Sequence, residues 1–237
     1  MDKIIGIYFD FFGTLIDSVR AYYKVWSRIL NRLGSDVVLS NTLINKGLQK
    51  QMEEINRLQY AYGRSYMNLT NDERNNLNGI MLDTIGLKRE GSSKIISEEF
   101  QENFFNYFSL NSGCKETLEQ IKRKNLKIGL LTNGDRMKVH SKLKELGIFD
   151  FFDIFIHSQD YGYNKDDIEV YQTAVELMQT TNPKKIIHVG DDLKMDIEMA
   201  KRIGMIPVLL DQNHKYSFDN IMVIHELPEI LEFLAKY

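Results

Sequence analysis

The sequence predicts an α/β fold in which a doubly wound, parallel-sheet core carries an inserted all-helical domain. Three observations support this fold class: short apolar runs recur along the chain, helical patterns separate most of them, and one long segment shows no strand pattern. The chain has 237 residues, of which 43% are hydrophobic, so it can bury a large core and a smaller insert. Global disorder is therefore not expected.

Six short apolar runs are the predicted strands of the sheet. They cover residues 4–9, 127–131, 152–156, 185–189, 206–210 and 221–224. Each run stops at turn-forming or polar residues, which is typical of strands that are buried on both faces of a parallel sheet.

Helical patterns follow these runs in the second half of the chain. They cover residues 114–124, 137–146, 167–178, 192–203 and 227–235. The fourth pattern is followed by Gly204, and glycine readily adopts the left-handed conformation that closes a helix. The alternation of strand and helix predicts a Rossmann-like core formed by residues 1–16 and 109–237.

Residues 17–108 contain helical patterns only, at 22–33, 43–61, 71–85 and 98–108. This predicted insert leaves the core just after the first strand. Ligands of open α/β sheets bind beyond the carboxyl ends of the strands, so we expect the insert to cover the ligand site as a cap domain.

Composition narrows the classes of partner. The net charge of −3 does not favour nucleic acid, and one cysteine, Cys114, excludes an intrachain disulfide. The first apolar run is too short for a signal peptide, and no segment approaches the length of a membrane span. We therefore expect a soluble, cytoplasmic monomer or homodimer that acts on a small molecule, without nucleic acid or membrane partners.

Polar side chains follow four of the predicted strands. They are Asp10, then Thr132 and Asn133, then Lys165, and finally Asp191, Asp192 and Asp196. The carboxyl ends of parallel strands meet at one edge of the sheet, so these groups should share a crevice. Clustered carboxylates need positive charge; Lys165 supplies part of it, and an oxygen-bound Mg²⁺ would supply the rest. A carboxylate in this setting can attack a phosphoryl group and form an aspartyl-phosphate.

The order Asp-x-x-Gly-Thr-Leu, Thr-Asn, Lys and Gly-Asp-Asp-x-x-x-Asp resembles the four motifs of the haloacid dehalogenase superfamily. The helical insert is similar to that superfamily's first type of cap. The resemblance covers essentially the whole chain. Each motif is weak alone, but the four in this order, each behind a predicted strand, are specific. The resemblance implies a hydrolase.

The resemblance also implies roles for the matching residues. Asp10 would be the nucleophile, and Lys165 would offset the charge of Asp10 and of the substrate. Thr132 and the backbone N–H of Asn133 would hold the oxygens of the transferred group.

Metal binding is implied in the same way. Asp10, Asp191 and the backbone carbonyl of Phe12 would be the Mg²⁺ ligands, with Asp192 and Asp196 close behind them. Asp192 and Asp196 are four residues apart and would share one face of a helix. Asp192 could act through water, or it could simply stabilise the start of its helix. His157 and His188 are expected to be packed or hydrogen-bonded rather than catalytic.

Two positions depart from the family pattern. Phosphatases of the superfamily usually carry a second Asp two residues after the nucleophile, as general acid and base, where this chain has Phe12. A phenyl ring cannot donate a proton, and general acid catalysis is typically worth a factor of about 10²–10⁴. The change of the usual Lys-Pro to Lys165-Asp166 affects only the shape of the loop.

Phe12 leaves a second enzymatic reading open. The superfamily's 2-haloacid dehalogenases also lack that Asp, because halide leaves without a proton, but they need no Mg²⁺ and use an arginine from the cap. The cap segment Gly47-Leu48-Gln49-Lys50-Gln51 offers Lys50 and no arginine, and the next arginines downstream are Arg57 and Arg64. The retained acidic residues favour a Mg²⁺-dependent phosphatase for a small phosphorylated metabolite. A non-catalytic binder of a phosphorylated ligand is the third alternative.

Overall fold

A computed structural model describes residues 3–33, 41–62, 71–87 and 91–236. The chain divides into two compact units. The core unit comprises Met1–Ser18 and Ser109–Tyr237, and the helical unit comprises Val19–Phe108. Within the described residues, no helix is both long enough and apolar enough to cross a bilayer.

The core unit contains a six-stranded sheet in which every pairing is parallel. Its strands are β1 (Gly6–Phe9), β2 (Lys127–Thr132), β3 (Ile154–His157), β4 (Ile186–Gly190), β5 (Ile206–Leu210) and β6 (Met222–Ile224). Their spatial order is β3-β2-β1-β4-β5-β6. The predicted α/β fold class is therefore confirmed, and each predicted apolar run contributes a strand.

The position of β1 determines where a ligand can bind. β1 lies between β2 and β4, so the chain order runs outward in both directions from this strand. All four of its residues are buried. In open α/β sheets this reversal of strand order opens a crevice at the carboxyl ends of the strands, which here means the end of β1 and of β4.

The helices of the core unit are α5 (Cys114–Arg123), α6 (Arg136–Glu145), α7 (Ile168–Leu177), α8 (Met199–Ile203) and α9 (Glu229–Leu234). The pattern at 192–203 is not one α-helix, because Leu193–Glu198 forms a π-helical segment before α8. The backbone N–H groups of Asp196 and Ile197 both bond the carbonyl oxygen of Asp192, at 3.0 and 3.2 Å. Gly204 closes α8 in the predicted left-handed conformation, with φ of 89°.

The helical unit contains α1 (Ser18–Arg32), α2 (Asn41–Tyr62), α3 (Asn71–Thr84) and α4 (Ser92–Asn103). Its apolar core joins α1, α3 and α4 through Trp26, Met81 and Ile96, which are inaccessible to solvent. Buried Glu99 of α4 pairs with Arg28 and Arg32 of α1 at 2.8 and 2.9 Å.

The predicted bounds of the last helix in the insert were wrong. A helix was expected at 98–108, whereas α4 ends at Asn103 and Phe105–Tyr107 forms a short 3₁₀ turn. The aromatic side chains explain the difference. Phe104 packs on Tyr22 and on Phe108, with ring centroids 5.2 and 4.7 Å apart, and Phe108 is extended. Aromatic packing outweighs continuation of the helix at this point.

Tyr8 offers a test of how α7 is fixed on the sheet. Its buried hydroxyl donates to the carbonyl oxygen of Ala174 at 2.8 Å. We expect Tyr8→Phe to lower the free energy of unfolding by about 1 kcal/mol, measured by urea denaturation. The control is Tyr216→Phe, whose side chain is 43% exposed and should change stability by less than about 0.5 kcal/mol. Equal losses in the two variants would contradict the proposed contribution of this bond.

Candidate active site

An ion-pair bridge lies at the carboxyl edge of the sheet. Asp10 follows β1, and the buried ammonium group of Lys165 contacts one carboxylate oxygen of Asp10 and one of Asp196. Lys165 lies in the loop after β3, and Asp196 lies in the π-helical segment after β4. Three residues from three separate stretches of the sequence therefore meet, as predicted from their positions after three of the strands.

The carboxylates of Asp10, Asp191 and Asp196 form one group. Each offers one oxygen, and these three oxygens all lie within 4.8 Å of one another. Asp196 was expected behind Asp10 and Asp191, but its oxygen is as much part of this group as theirs. Within the described residues, Lys165 supplies the ammonium that contacts the group, so the group holds more negative than positive charge when all three carboxylates are ionised.

Two glycines make room for these carboxylates. Gly13 has φ of +78°, and a Cβ atom at this position would overlap the carboxylate of Asp191. A Cβ atom at Gly190 would overlap the carboxylate of Asp196. Thr14, next to Gly13, donates from its hydroxyl to Asp191 at 3.2 Å. The glycines of the first and fourth motifs are therefore required by close approach to the acidic group.

The loop after β1 is held by side chains that the sequence did not reveal. The carbonyl oxygen of Gly13 accepts hydrogen bonds from Asn111 at 3.1 Å and from Gln212 at 2.9 Å. These donors lie 98 and 199 residues away along the chain, so no local pattern could identify them. They fix the stretch that directly follows Asp10.

Asn133 has a structural role beyond its backbone N–H. Its side-chain oxygen accepts from the hydroxyl of Ser158 at 2.5 Å and from the backbone N–H of Lys165 at 2.8 Å. One amide oxygen thus joins both ends of the loop that carries Lys165. Thr132 is completely buried, and its hydroxyl accepts from the N–H of Gly134 at 3.1 Å.

Asp192 and Asp196 have different surroundings. The side chain of Asp192 accepts from the backbone N–H groups of Lys194 and Met195 at 2.8 and 2.7 Å, which makes Asp192 the cap of the segment that follows. The two carboxylates do not share a helix face as expected, because Asp192 precedes the first helical residue. Asp196 instead accepts from the N–H of Asp192 at 3.1 Å and contacts Nε2 of His188 at 2.8 Å.

Phe12 belongs to the loop after β1, and its ring lies against the loop after β2. Its ring packs edge-to-face on Phe11, with centroids 5.0 Å apart, and it is half-buried. A Cβ atom added to Gly134 would lie 3.0 Å from the ring of Phe12, so the ring lies against that glycine. The side chain that replaces the family's usual Asp is therefore packed between the two loops.

The three carboxylates of this group differ in how readily they ionise. Burial raises the pKa of Asp10 to about 7, although Lys165 opposes this shift. Burial and the nearby Asp10 and Asp196 raise the pKa of Asp191 well above its ordinary value, while its side chain remains open to water on one side. Burial also disfavours charge on Asp196, but Lys165 and His188 outweigh it and lower the pKa of Asp196.

Lys165 keeps its proton for the same reason. Burial alone would lower the pKa of Lys165, but Asp10 and Asp196 raise it above its ordinary value. The surroundings therefore favour the charged forms of Lys165 and Asp196. They disfavour ionisation of Asp10 and Asp191, and a cation bound beside these two carboxylates would stabilise their charged forms.

The sequence matches the family described as haloacid dehalogenase-like hydrolase over residues 6–204. It is 33% identical over 128 residues to the glyceraldehyde 3-phosphate phosphatase of Methanocaldococcus jannaschii, covering 51% of this chain and 56% of that protein. It is 26% identical over 163 residues to the phosphorylated carbohydrates phosphatase of Thermotoga maritima, covering 65% and 73%. The chain thus spans only slightly more than half the length of the first of these relatives.

Solved structures share the fold across the whole chain. A putative hydrolase from Bacillus subtilis, YfnB, whose structure was solved with bound magnesium, superposes with a TM-score of 0.81 at 16% identity, covering 98% of this chain and 99% of that one. A dehalogenase superposes with a TM-score of 0.71 at 21% identity, covering 100% of both chains. At these identities the likeness concerns the fold alone.

The raised pKa of Asp191 predicts how pH affects stability without metal. A carboxyl whose pKa is higher in the folded state stabilises the fold while protonated and loses that contribution as pH rises through its folded pKa. In EDTA, the wild-type protein should therefore lose more stability between about pH 5 and about pH 8 than Asp191→Asn, whose amide can still accept from Thr14. Urea denaturation at both pH values measures this difference. An identical pH dependence in the two proteins would refute the interpretation.

Proposed function

This chain belongs to the haloacid dehalogenase-like hydrolases, and from that premise we propose that it is a Mg²⁺-dependent phosphatase acting on a small phosphorylated metabolite through an aspartyl-phosphate on Asp10. The proposal rests on the group of Asp10, Asp191 and Asp196 around Lys165. The phosphatases among the similar proteins support the same class of substrate.

The donor set of the group fits Mg²⁺. Mg²⁺ prefers oxygen ligands and is usually held by one or two carboxylates together with water and substrate oxygens. Asp10 and Asp191 would hold the ion with the backbone carbonyl of Phe12, and the neighbouring oxygen of Asp196 would add negative charge. When bound, the ion would neutralise charge on the phosphoryl oxygens.

The side chains themselves account for the attack. Lys165 contacts one oxygen of Asp10 and so limits rotation of that carboxylate. The carboxylate would attack phosphorus, and the bond from phosphorus to the leaving oxygen would break. Thr132 and the backbone N–H of Asn133 would hold the phosphoryl oxygens, while the Asn133 side chain keeps the Lys165 loop in place. Water would then hydrolyse the aspartyl-phosphate.

Phe12 limits the leaving groups that this mechanism serves. Its packed ring supplies no proton to a departing oxygen. The site therefore suits phosphates whose leaving oxygen is weakly basic, since such an anion departs without general acid catalysis.

The absence of a proton donor at Phe12 favours a second candidate, a 2-haloacid dehalogenase that forms an ester on Asp10. Of the two cap arginines considered for that reaction, Arg57 pairs with Glu54 at 2.5 Å, and Arg64 lies outside the described residues. Halide departure also needs no cation, so the dehalogenase reaction does not explain why three carboxylates cluster at the site. We therefore prefer the phosphatase, and a phosphate-binding protein without turnover ranks behind both.

Hydrolysis of p-nitrophenyl phosphate tests the proposal directly. We expect Mg²⁺-dependent release of phosphate that EDTA abolishes and that Asp10→Asn reduces by at least about 10⁴-fold, because the nucleophile is lost. The control is Asp150→Asn, which changes an exposed carboxylate and should leave the rate unchanged. Activity that persists in EDTA would refute the role of the metal. Metal-independent halide release from 2-chloropropionate would instead support the dehalogenase.

Phe12→Asp tests whether the missing acid limits turnover. We expect the rate with alkyl phosphates, which have poor leaving groups, to rise by up to about 10²-fold relative to the rate with p-nitrophenyl phosphate. Phe12→Asn is the matched control, because it introduces a similar polar side chain that cannot act as an acid. If both variants gain equally, or neither gains, then proton donation at this position is not what limits the wild-type enzyme.

A further inference from the structure

His188 is a buried, titratable residue that the proposed reaction does not use. It lies in β4, opposite Tyr8 of β1, and its side chain is inaccessible to solvent. Its Nε2 atom is 2.8 Å from an oxygen of Asp196 and 3.3 Å from the hydroxyl of Tyr171. The ring thus joins the central sheet to the charged bridge.

The neighbours of Nε2 determine where the imidazole carries its proton. The carboxylate of Asp196 can only accept a hydrogen bond. The hydroxyl of Tyr171 donates to the carbonyl oxygen of Met195 at 2.5 Å, so towards His188 it too acts as an acceptor. Both contacts require a proton on Nε2. Nδ1 is buried and has no hydrogen-bond partner in the described part of the chain, so a proton there would be unsatisfied.

The burial of the unpaired Nδ1 atom lowers stability, so a histidine at this position requires a benefit from the N–H donor at Nε2. An apolar side chain would fill the same space without burying an unpaired nitrogen. Every polar contact of the ring points towards Asp196 and the residues around it. The use of histidine here is therefore explained by the hydrogen bond that it donates.

We propose that His188 is a positioning residue that fixes the carboxylate of Asp196 and, through it, holds Lys165 against Asp10. Lys165 and His188 contact the same oxygen of Asp196, and the N–H of Asp192 binds the other oxygen at 3.1 Å. Since Lys165 bridges Asp196 and Asp10, the rigid strand β4 sets the position of the ammonium through His188. The catalytic consequence rests on the proposed function.

A matched pair of variants tests this role. His188→Gln can present an N–H at a similar reach, whereas His188→Met has a similar shape and no donor. We expect His188→Met to lower kcat for p-nitrophenyl phosphate by about 10- to 100-fold, which is the usual loss when a hydrogen bond that orients a side chain of the site is removed. His188→Gln should recover most of this loss. KM should stay within about threefold, because the side chain of His188 is inaccessible to solvent and would not reach the substrate. Equal kcat values in two folded variants, or a loss confined to KM, would overturn the proposal.

The protonation of the ring can be measured without turnover. In the wild-type protein labelled with ¹⁵N-histidine, NMR should show the neutral His188 ring with its proton on Nε2, and Asp196→Asn should shift that resonance. A proton on Nδ1 would overturn the proposal even if His188→Met fails to fold. If wild-type protein released no phosphate, the proposed function would fail, while the NMR result would still decide the position of the proton.

Discussion

The buried ammonium of Lys165 between Asp10 and Asp196 is the interaction on which the site depends. The sheet brings three carboxylates to one edge, where their repulsion and loss of hydration oppose folding. Lys165 offsets part of that cost, and its own burial is tolerable only because two carboxylates contact it. Asn133 holds the loop that delivers it, so the ends of β1, β2, β3 and β4 all contribute to one charge balance.

The remaining features of the site follow from the excess negative charge. Gly13 and Gly190 allow the carboxylates to approach closely. Burial and the neighbouring carboxylates raise the pKa values of Asp10 and Asp191, so ionisation of both groups is disfavoured. Such a group would be a poor choice for stability alone. Its retention is physically reasonable if a cation and a phosphoryl group share it during function.

Sequence patterns were sufficient for the sheet and for the residues that converge on it, because apolar runs and the polar residues after them are local signals. They were insufficient for contacts between distant segments. The hydrogen bonds of Asn133 to Ser158 and Lys165 span 25 and 32 residues, and no pattern predicts them. His188 was expected to be packed or hydrogen-bonded, because it lies at a strand end, but the sequence did not identify Asp196 as its partner. The end of α4 was missed because aromatic packing at Phe104 overrides helical periodicity.

Attack on phosphorus and departure of the leaving group place separate demands on this site. Asp10, Lys165 and the acidic group meet the first demand, because they supply a nucleophile and the means to balance charge. Phe12 does not meet the second demand, because its ring cannot protonate the leaving group. The ring is packed on Phe11 and lies beside Gly134. The first demand can be met without the second if the leaving group is stable as an anion. Selection of substrate by this core would then depend on leaving-group basicity as well as on shape.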